Sequence, residues 1–251
     1  MSAKKETLGK TIGIVLAVCL VCSIIVSGSA VGLRSLQETN AKLDQQSNII
    51  EAAGLSDIAA GDIAGTYDKF VEERFIDLST GEYVEVADDF DMYKAAKQPK
   101  YSVKVENSNV GFQYRSSVAN IFLVKDDTGQ VNRIILPVNG SGLWDMMYGY
   151  LALDVDGNTV RELVYYKQKE TPGLGGEVQN PSWKAQWDGK KIFKDGEVAI
   201  EVKKNADSSS DYVVDALSGA TLTSNGVQNT LDYWAGDNGY GPFLKNQTWK
   251  S

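Results

Sequence analysis

Between Thr11 and Leu33 the chain carries no charged side chain, and beyond Arg34 its apolar positions become periodic. At about 1.5 Å per residue this uncharged run exceeds the roughly 30 Å hydrocarbon core of a bilayer, so it predicts a membrane-spanning helix. Leu36, Leu43 and Ile50 then recur every seven residues. That spacing predicts a polar-faced helical stalk ending at Gly54, although an amphipathic helix docked on the following domain has the same pattern. Ile63, Tyr67, Phe70, Val71 and Phe75 predict a second helix. β-prone runs predict strands over 83–86, 101–105, 121–125, 131–136, 148–154 and 160–166. Asp126-Asp127-Thr128-Gly129 joins the middle pair, and Asp156-Gly157-Asn158 separates the last two. Asn180 is suited to cap a helix that has Pro181 at its first position. Tyr212, Val213 and Val214 form a short strand, and Val227, Leu231 and Trp234 predict an amphipathic helix beginning near Ser224. Hairpins interleaved with helices imply an α+β fold rather than a doubly wound parallel sheet. The expected organisation is a tail over 1–10, a transmembrane helix over 11–33, a helical stalk over 34–54 and one domain over 55–251.

Charge orients this arrangement. Lys4, Lys5 and Lys10 precede the apolar run and Arg34 follows it, so the short tail is expected in the cytoplasm and the large domain outside. A cleaved signal peptide is the competing reading, with Gly28-Ser29-Ala30 as its small-residue site. A lipoprotein is excluded, because bulky Val18 and Val21 precede Cys19 and Cys22. With Glu6, the N-terminal charges sum to +3, so the remainder carries −11 within a net charge of −8. A domain this acidic is expected to bind neither nucleic acid nor anionic lipid surfaces. The absence of histidine removes Ser-His-Asp hydrolysis, histidine-ligated haem and histidine-based zinc sites. Two cysteines inside an apolar segment are too few for an iron–sulfur cluster held by this chain alone. The adjacent acids Asp126-Asp127 and Asp88-Asp89 read as solvated turns, so no catalytic acid–base residue and no metal ligand is assigned. What remains favours a borrowed organic cofactor.

Two tracts carry candidate chemistry. In Asp215-Ala-Leu-Ser218-Gly219-Ala220-Thr221-Leu-Thr223-Ser224 a strand gives way to a helix, so Thr221 should lie just ahead of a helix N-terminus. Free N–H groups and the positive end of the dipole suit such a place to a phosphate, and Gly219 and Ala220 leave the backbone open to it. An ordinary Ser/Thr cap on a surface helix fits the same residues. Glu170-Thr171-Pro172-Gly173-Leu174-Gly175-Gly176-Glu177 can bring its backbone near a planar ligand, or serve as a plain strand-to-helix loop. It is not a dinucleotide fingerprint, because Val178 stands where the third glycine belongs.

Together these tracts resemble the FMN-binding domain whose members carry FMN through a phosphoester to threonine. The runs Asn180-Pro181-Ser182-Trp183-Lys184-Ala185-Gln186-Trp187 and 221–230 are similar to the NqrC family, the flavin-carrying subunits of bacterial sodium-translocating NADH:quinone oxidoreductases. That resemblance spans nearly the whole chain, and neither motif departs from the pattern. The G subunit of the Rnf complex shares the threonine tract, but the tryptophan run fits it less well. The resemblance implies an integral membrane electron-transfer subunit that relays electrons between other subunits toward ubiquinone through covalent FMN. It further implies that a dedicated flavin transferase, using FAD, recognises the segment from Asp215 to Thr221 and loads Thr221. Ser218, Gly219, Ala220 and Thr223 would surround the phosphate. Glu170 belongs to the same motif, and Thr171, Gly173, Leu174 and Gly175 would approach the ring. The run Asn139-Gly140-Ser141-Gly142-Leu143-Trp144 is a candidate pocket edge, with Trp144 either stacking on the flavin or serving as a core tryptophan. The transmembrane run lacks a polar residue suited to sodium, so ion passage should belong to other subunits. A non-redox, membrane-anchored assembly module is the rival reading, with the threonine tract as a cap and the glycine tract as a partner-facing loop.

Overall fold

The long apolar run and the heptad positions beyond it lie on one unbroken 45-residue helix, α1 (Leu8–Ala52). The computed structural model describes residues 8–87, 89–106 and 108–250. Lys4, Lys5, Glu6 and Asp88 therefore lie outside the described residues, as does most of the predicted tail. The chain divides into two units between Gln45 and Gln46. In the first, the large apolar side chains from Leu8 to Leu36 are exposed, and the helix is long and apolar enough to cross a membrane.

The second unit begins inside α1, where Gln46, Ile49, Ile50 and Ala52 are buried. The helix ends as the glycine signalled. Leu55 N–H donates to the Ile50 carbonyl at 3.0 Å and Gly54 N–H to that of Glu51 at 2.8 Å, with Gly54 at φ +67°. This 6→1 and 5→2 pairing satisfies the last carbonyls and needs a left-handed residue at Gly54.

The elements that follow are α2 (Ser56–Ala59), α3 (Ile63–Phe70), β1 (Val71–Asp77), α4 (Met92–Ala95), β2 (Ser102–Lys104) and β3 (Tyr114–Ser116). The hairpin strands β4 (Val118–Lys125), β5 (Val131–Ser141), β6 (Met146–Asp154) and β7 (Val160–Lys167) come next, then α5 (Pro181–Lys184). The chain closes with β8 (Phe193–Lys194), β9 (Glu197–Val198), β10 (Glu201–Lys203), β11 (Val213–Asp215), α6 (Thr221–Ala235) and α7 (Gly241–Asn246). The core sheet has five antiparallel strands in the order β1-β4-β5-β6-β7. The α+β expectation holds, and Asn180 caps α5 by accepting from Ser182 N–H at 2.9 Å.

Alternation along the strands divides the core in two. Ile121, Leu123, Ile134, Leu136, Leu151 and Leu163 face the layer of Val227, Leu231 and Trp234 from α6. Phe122, Val124, Ile135, Tyr150, Ala152 and Val164 face Ile49, Ala52 and Ala53 from the end of α1. Lys184, 13% exposed, ties that end down by reaching Glu51 at 2.5 Å and Glu162 on β7 at 2.8 Å. Burial alone would lower its pKa, but the two carboxylates outweigh burial and raise it.

Local periodicity misplaced several boundaries. The predicted second helix stops at Phe70, because Val71 to Asp77 form a complete antiparallel ladder with β4, and that pairing overrides the helical spacing of Val71 and Phe75. The strand expected over 83–86 shrinks to one bridge between Tyr83 and Ile76 as the chain turns toward α4. β5 runs five residues beyond its predicted end at 136. β4 pairs with it only up to Phe122–Ile135, so the two strands then part. Pro137, which has no N–H, stands just past the parting, and its carbonyl accepts from the Tyr240 hydroxyl at 2.7 Å. Trp234 Nε1 donates to the Asn139 carbonyl at 2.8 Å, so α6 takes over part of the work of the missing strand.

Replacing Ile49, fully buried between α1 and the sheet, by alanine is expected to cost about 2–5 kcal/mol of unfolding free energy in a urea titration. An unchanged midpoint would remove the end of α1 from the domain core.

Candidate functional site

Three segments meet at one end of the sheet: the β5–β6 turn at 142–145, the glycine tract after β7, and the loop from β11 into α6. A single carboxylate joins them. Glu170 is 5% exposed, and it accepts from Trp144 N–H at 2.9 Å, from Leu143 N–H at 3.1 Å and from the Thr223 hydroxyl. Its own N–H donates to Gln168 Oε1 at 2.5 Å. A Cβ on Gly142 or Gly175 would strike the Glu170 carboxylate, and one on Gly175 would also strike Thr223. These glycines thus make room for Glu170. At the turn, a hydrogen bond from Lys169, 2.5 Å away, holds the exposed Asp145 below the usual carboxylate range.

The threonine tract is positioned from two sides. Trp183 Nε1 donates to the Asp215 carbonyl at 2.9 Å and Asp215 N–H to Gln186 at 3.1 Å, so the tryptophan run clamps the end of β11. Gly219, at φ +73°, turns the chain into α6. The helix begins at Thr221, three residues earlier than predicted. Leu222 lies off the Val227, Leu231 and Trp234 stripe, so the first turn carries no periodic signal. Ser224 sits inside, its Oγ accepting from Leu217 N–H at 3.0 Å and its N–H bonding the Ala220 carbonyl at 3.0 Å. Ala220 supplies no side-chain cap, and the first turn has no acidic residue. Thr221 is therefore exposed on the first position of a helix whose opening amides and positive dipole end are uncapped.

Beside it is a cleft of about 220 Å³, lined by Leu143, Trp144, Glu170, Thr171, Leu174, Gly175 and 219–223. Four of its large side chains are unusually open: Trp144 is 68% exposed, Leu222 58%, Leu143 49% and Leu174 44%. Trp144 is thus not a core tryptophan. Its indole donates to Thr171 Oγ1 at 3.2 Å. Of the predicted site residues, Trp144, Glu170, Thr171, Leu174, Gly175, Gly219, Ala220, Thr221 and Thr223 line the cleft. Ser218 and Gly173 lie in its loops without lining it. Asp215 lies at the end of β11, where its carboxylate accepts from Ala206 N–H at 3.3 Å. Leu222 was not among the predicted site residues. Its signal was an apolar side chain at the second helical position, away from the buried stripe.

Comparison with known proteins places these segments in context. Residues 142–236 match the FMN-binding domain family. The chain is 48% identical over 249 residues to the NqrC subunit of the Na(+)-translocating NADH-quinone reductase of Vibrio anguillarum, covering 97% of this chain and 96% of that one. It is 49% identical to the corresponding subunit of Vibrio vulnificus, with 96% of each covered. Among solved structures, Shewanella oneidensis NqrC superposes with a TM-score of 0.77 at 33% identity, covering 82% of this chain and 98% of that chain. The corresponding subunit from Parabacteroides distasonis gives a TM-score of 0.68 at 30% identity, covering 84% of this chain and 96% of that one.

Glu170→Ala should lower stability by about 2–4 kcal/mol, because it strands three donors at a buried position, whereas Thr223→Val should cost only about 1–2 kcal/mol. Thermal unfolding of both variants checks the order; equal losses would mean that Glu170 does not join the three segments.

Proposed function

The chain belongs to the NqrC family of Na+-translocating NADH-quinone reductase subunits, and we propose that it holds FMN in the cleft through a phosphoester on Thr221. The observation that carries this reading is the exposed Thr221 on the uncapped, acid-free first turn of α6, beside a rim of exposed apolar side chains. The residues fit both halves of the group. Free amides and the helix dipole suit a phosphodiester that keeps one negative charge, with Ser218, Gly219 and Ala220 providing the open backbone of the approach. Trp144, Leu143, Leu174 and Leu222 suit a flat apolar ring, with the Thr171 hydroxyl fixing the indole. Gly173, open and at φ +76°, lets the glycine tract pass close by.

The chain is an electron-transfer subunit of a quinone reductase, and bound FMN supplies the reversible electron transfer. Having no dinucleotide motif, the chain would exchange electrons with other subunits and not with NADH itself. The cleft is smaller than the roughly 300–1,000 Å³ of an enclosing ligand site. A tethered flavin would thus keep part of its ring outside this chain, where neighbouring subunits could cover it or exchange electrons with it. Loading requires the exposed Thr221 hydroxyl to attack FAD: its oxygen bonds the FMN phosphorus, the pyrophosphate bond breaks, and AMP leaves with the proton. The flavin transferase would grip the segment from Asp215 to Thr221, whose exposed Asp215, Ser218, Gly219 and Thr221 are accessible while Leu217 and Ala220 anchor it in the core.

For topology, residues 11–33 would cross the bacterial inner membrane with the tail 1–10 in the cytoplasm. The predicted stalk over 34–54, whose end from Gln46 on packs within the domain, and the rest of the FMN-binding domain over 55–251 would then stand in the periplasm. The exposed apolar half of α1 and its flanking positive charges support this reading.

Coexpression of the full chain with the flavin transferase should give a band that fluoresces under ultraviolet light after denaturing electrophoresis, and Thr221→Ala should abolish it. A band that persists would move the attachment elsewhere. Intact-mass measurement on the membrane-extracted protein should show residues 11–33 retained; a mature N-terminus at Val31 would overturn the anchor.

A further inference from the structure

A larger cavity, of about 500 Å³, shares the β5–β6 hairpin with the flavin cleft. Asn139 and Met146 line the cavity, whereas Leu143 and Trp144 of the connecting turn line the cleft. Its volume falls within the range of small-molecule sites. Among the described residues, the charged side chains in its lining are Arg115 and Lys97, both cations, although the domain around them is strongly acidic.

Arg115 is nine-tenths buried. Its Nη1 donates to the Ser116 carbonyl at 2.8 Å, but its Nε–H has no partner. Among the described residues no carboxylate forms an ion pair with it. A guanidinium taken out of water is ordinarily paired with an anion, and its fork of donors matches a carboxylate. Here the unsatisfied donor belongs to a residue lining a cavity. Aromatic side chains, with Tyr93, Tyr148 and Trp234 prominent among them, make up much of the remaining wall, beside the polar Ser102, Ser116 and Asn139. Lys97 is exposed, so it adds a solvent-accessible positive charge to the lining.

We propose that this cavity is a second ligand site, independent of the flavin, for a small organic anion that carries one carboxylate on an aromatic body. Arg115 takes the carboxylate, the aromatic walls take the ring, and Lys97 attracts the anion against the field of the acidic domain. An aromatic carboxylate is favoured over phosphate, because the aromatic side chains of the lining suit a flat ring and offer little to a small, tightly hydrated ion.

The test is titration of the full-length, flavin-loaded protein in detergent with benzoate, with uncharged benzamide and inorganic phosphate as comparisons. Tryptophan fluorescence, to which Trp234 in the lining contributes, and calorimetry report binding. Benzoate should bind saturably, with benzamide and phosphate at least tenfold weaker. Lys97→Met, at an exposed position that does not threaten the fold, should weaken benzoate about threefold. Arg115→Met should weaken it more than tenfold, and Arg115→Lys serves in its place if the methionine variant does not fold. Thr221→Ala should bind benzoate as the parent does. The proposal is overturned if benzoate fails to bind, if benzamide or phosphate binds equally well, or if the Arg115 and Lys97 variants bind unchanged. Loss of binding in Thr221→Ala would also overturn it, by moving the ligand to the flavin cleft.

Discussion

Burying the Glu170 carboxylate obliges the chain to surround it with donors, because a charge left unpaired away from water costs more than an ordinary hydrogen bond returns. Those donors come from Leu143 and Trp144 in one hairpin turn and from Thr223 in the first turn of α6. One side chain thereby draws together three segments that are distant in sequence. The space it needs explains Gly142 and Gly175 without appeal to a ligand, since either Cβ would collide with the carboxylate. What Glu170 leaves free is the outer surface of the same loops. There Trp144, Leu143, Leu174 and Leu222 stay open to solvent.

The direction of α6 depends on a second constraint. β5 outlasts its pairing with β4, and an unpaired central strand exposes carbonyls that must be satisfied. Trp234 and Tyr240 supply the donors for Asn139 and Pro137, which seats the helix and the segment after it along the free side of β5. Gly226 lets the helix come close, since a Cβ there would meet the Ser141 carbonyl. The start of the helix is then held at the cleft by Thr223, while Trp183 of α5 and Gln186 just beyond it fix the end of β11. Rigid support on both sides leaves Thr221 exposed but well positioned, as the proposed flavin attachment requires.

Electrostatics distinguishes the two pockets beside the β5–β6 turn. At the turn, the Glu170 carboxylate in the cleft lining is held by protein donors, while the opening amides of α6 carry no side-chain cap and suit the proposed phosphodiester. In the larger cavity the charged side chains among the described lining residues, Arg115 and Lys97, are both cations. Both features run against the acidic charge of the domain, which serves solubility over the remaining surface.

Local chemistry was legible from sequence wherever the deciding partners were near neighbours. The uncharged run of α1, the glycine stop at Gly54, the Asn180-Pro181 start of α5 and the hairpin strands all follow from spacing within a few residues. The Thr221 tract was legible for the same reason, since its turn, threonine and helix are consecutive. Tertiary structure decided what depends on distant partners. β1 replaced the second half of a predicted helix because β4, about fifty residues on, offered a ladder. β5 kept its extended form past its predicted end because β6 pairs with it as far as Ser141, while α6 and the segment leading into α7 satisfied carbonyls on its other side, as in the Trp234–Asn139 bond across 95 residues. Trp144 became an exposed rim and Glu170 an interior tie because the Glu170–Thr223 contact, across 53 residues, closes the loops around a carboxylate. Periodicity records which face of an element is apolar, but which partner arrives at that face is set by chain closure and burial, and these have no local signature.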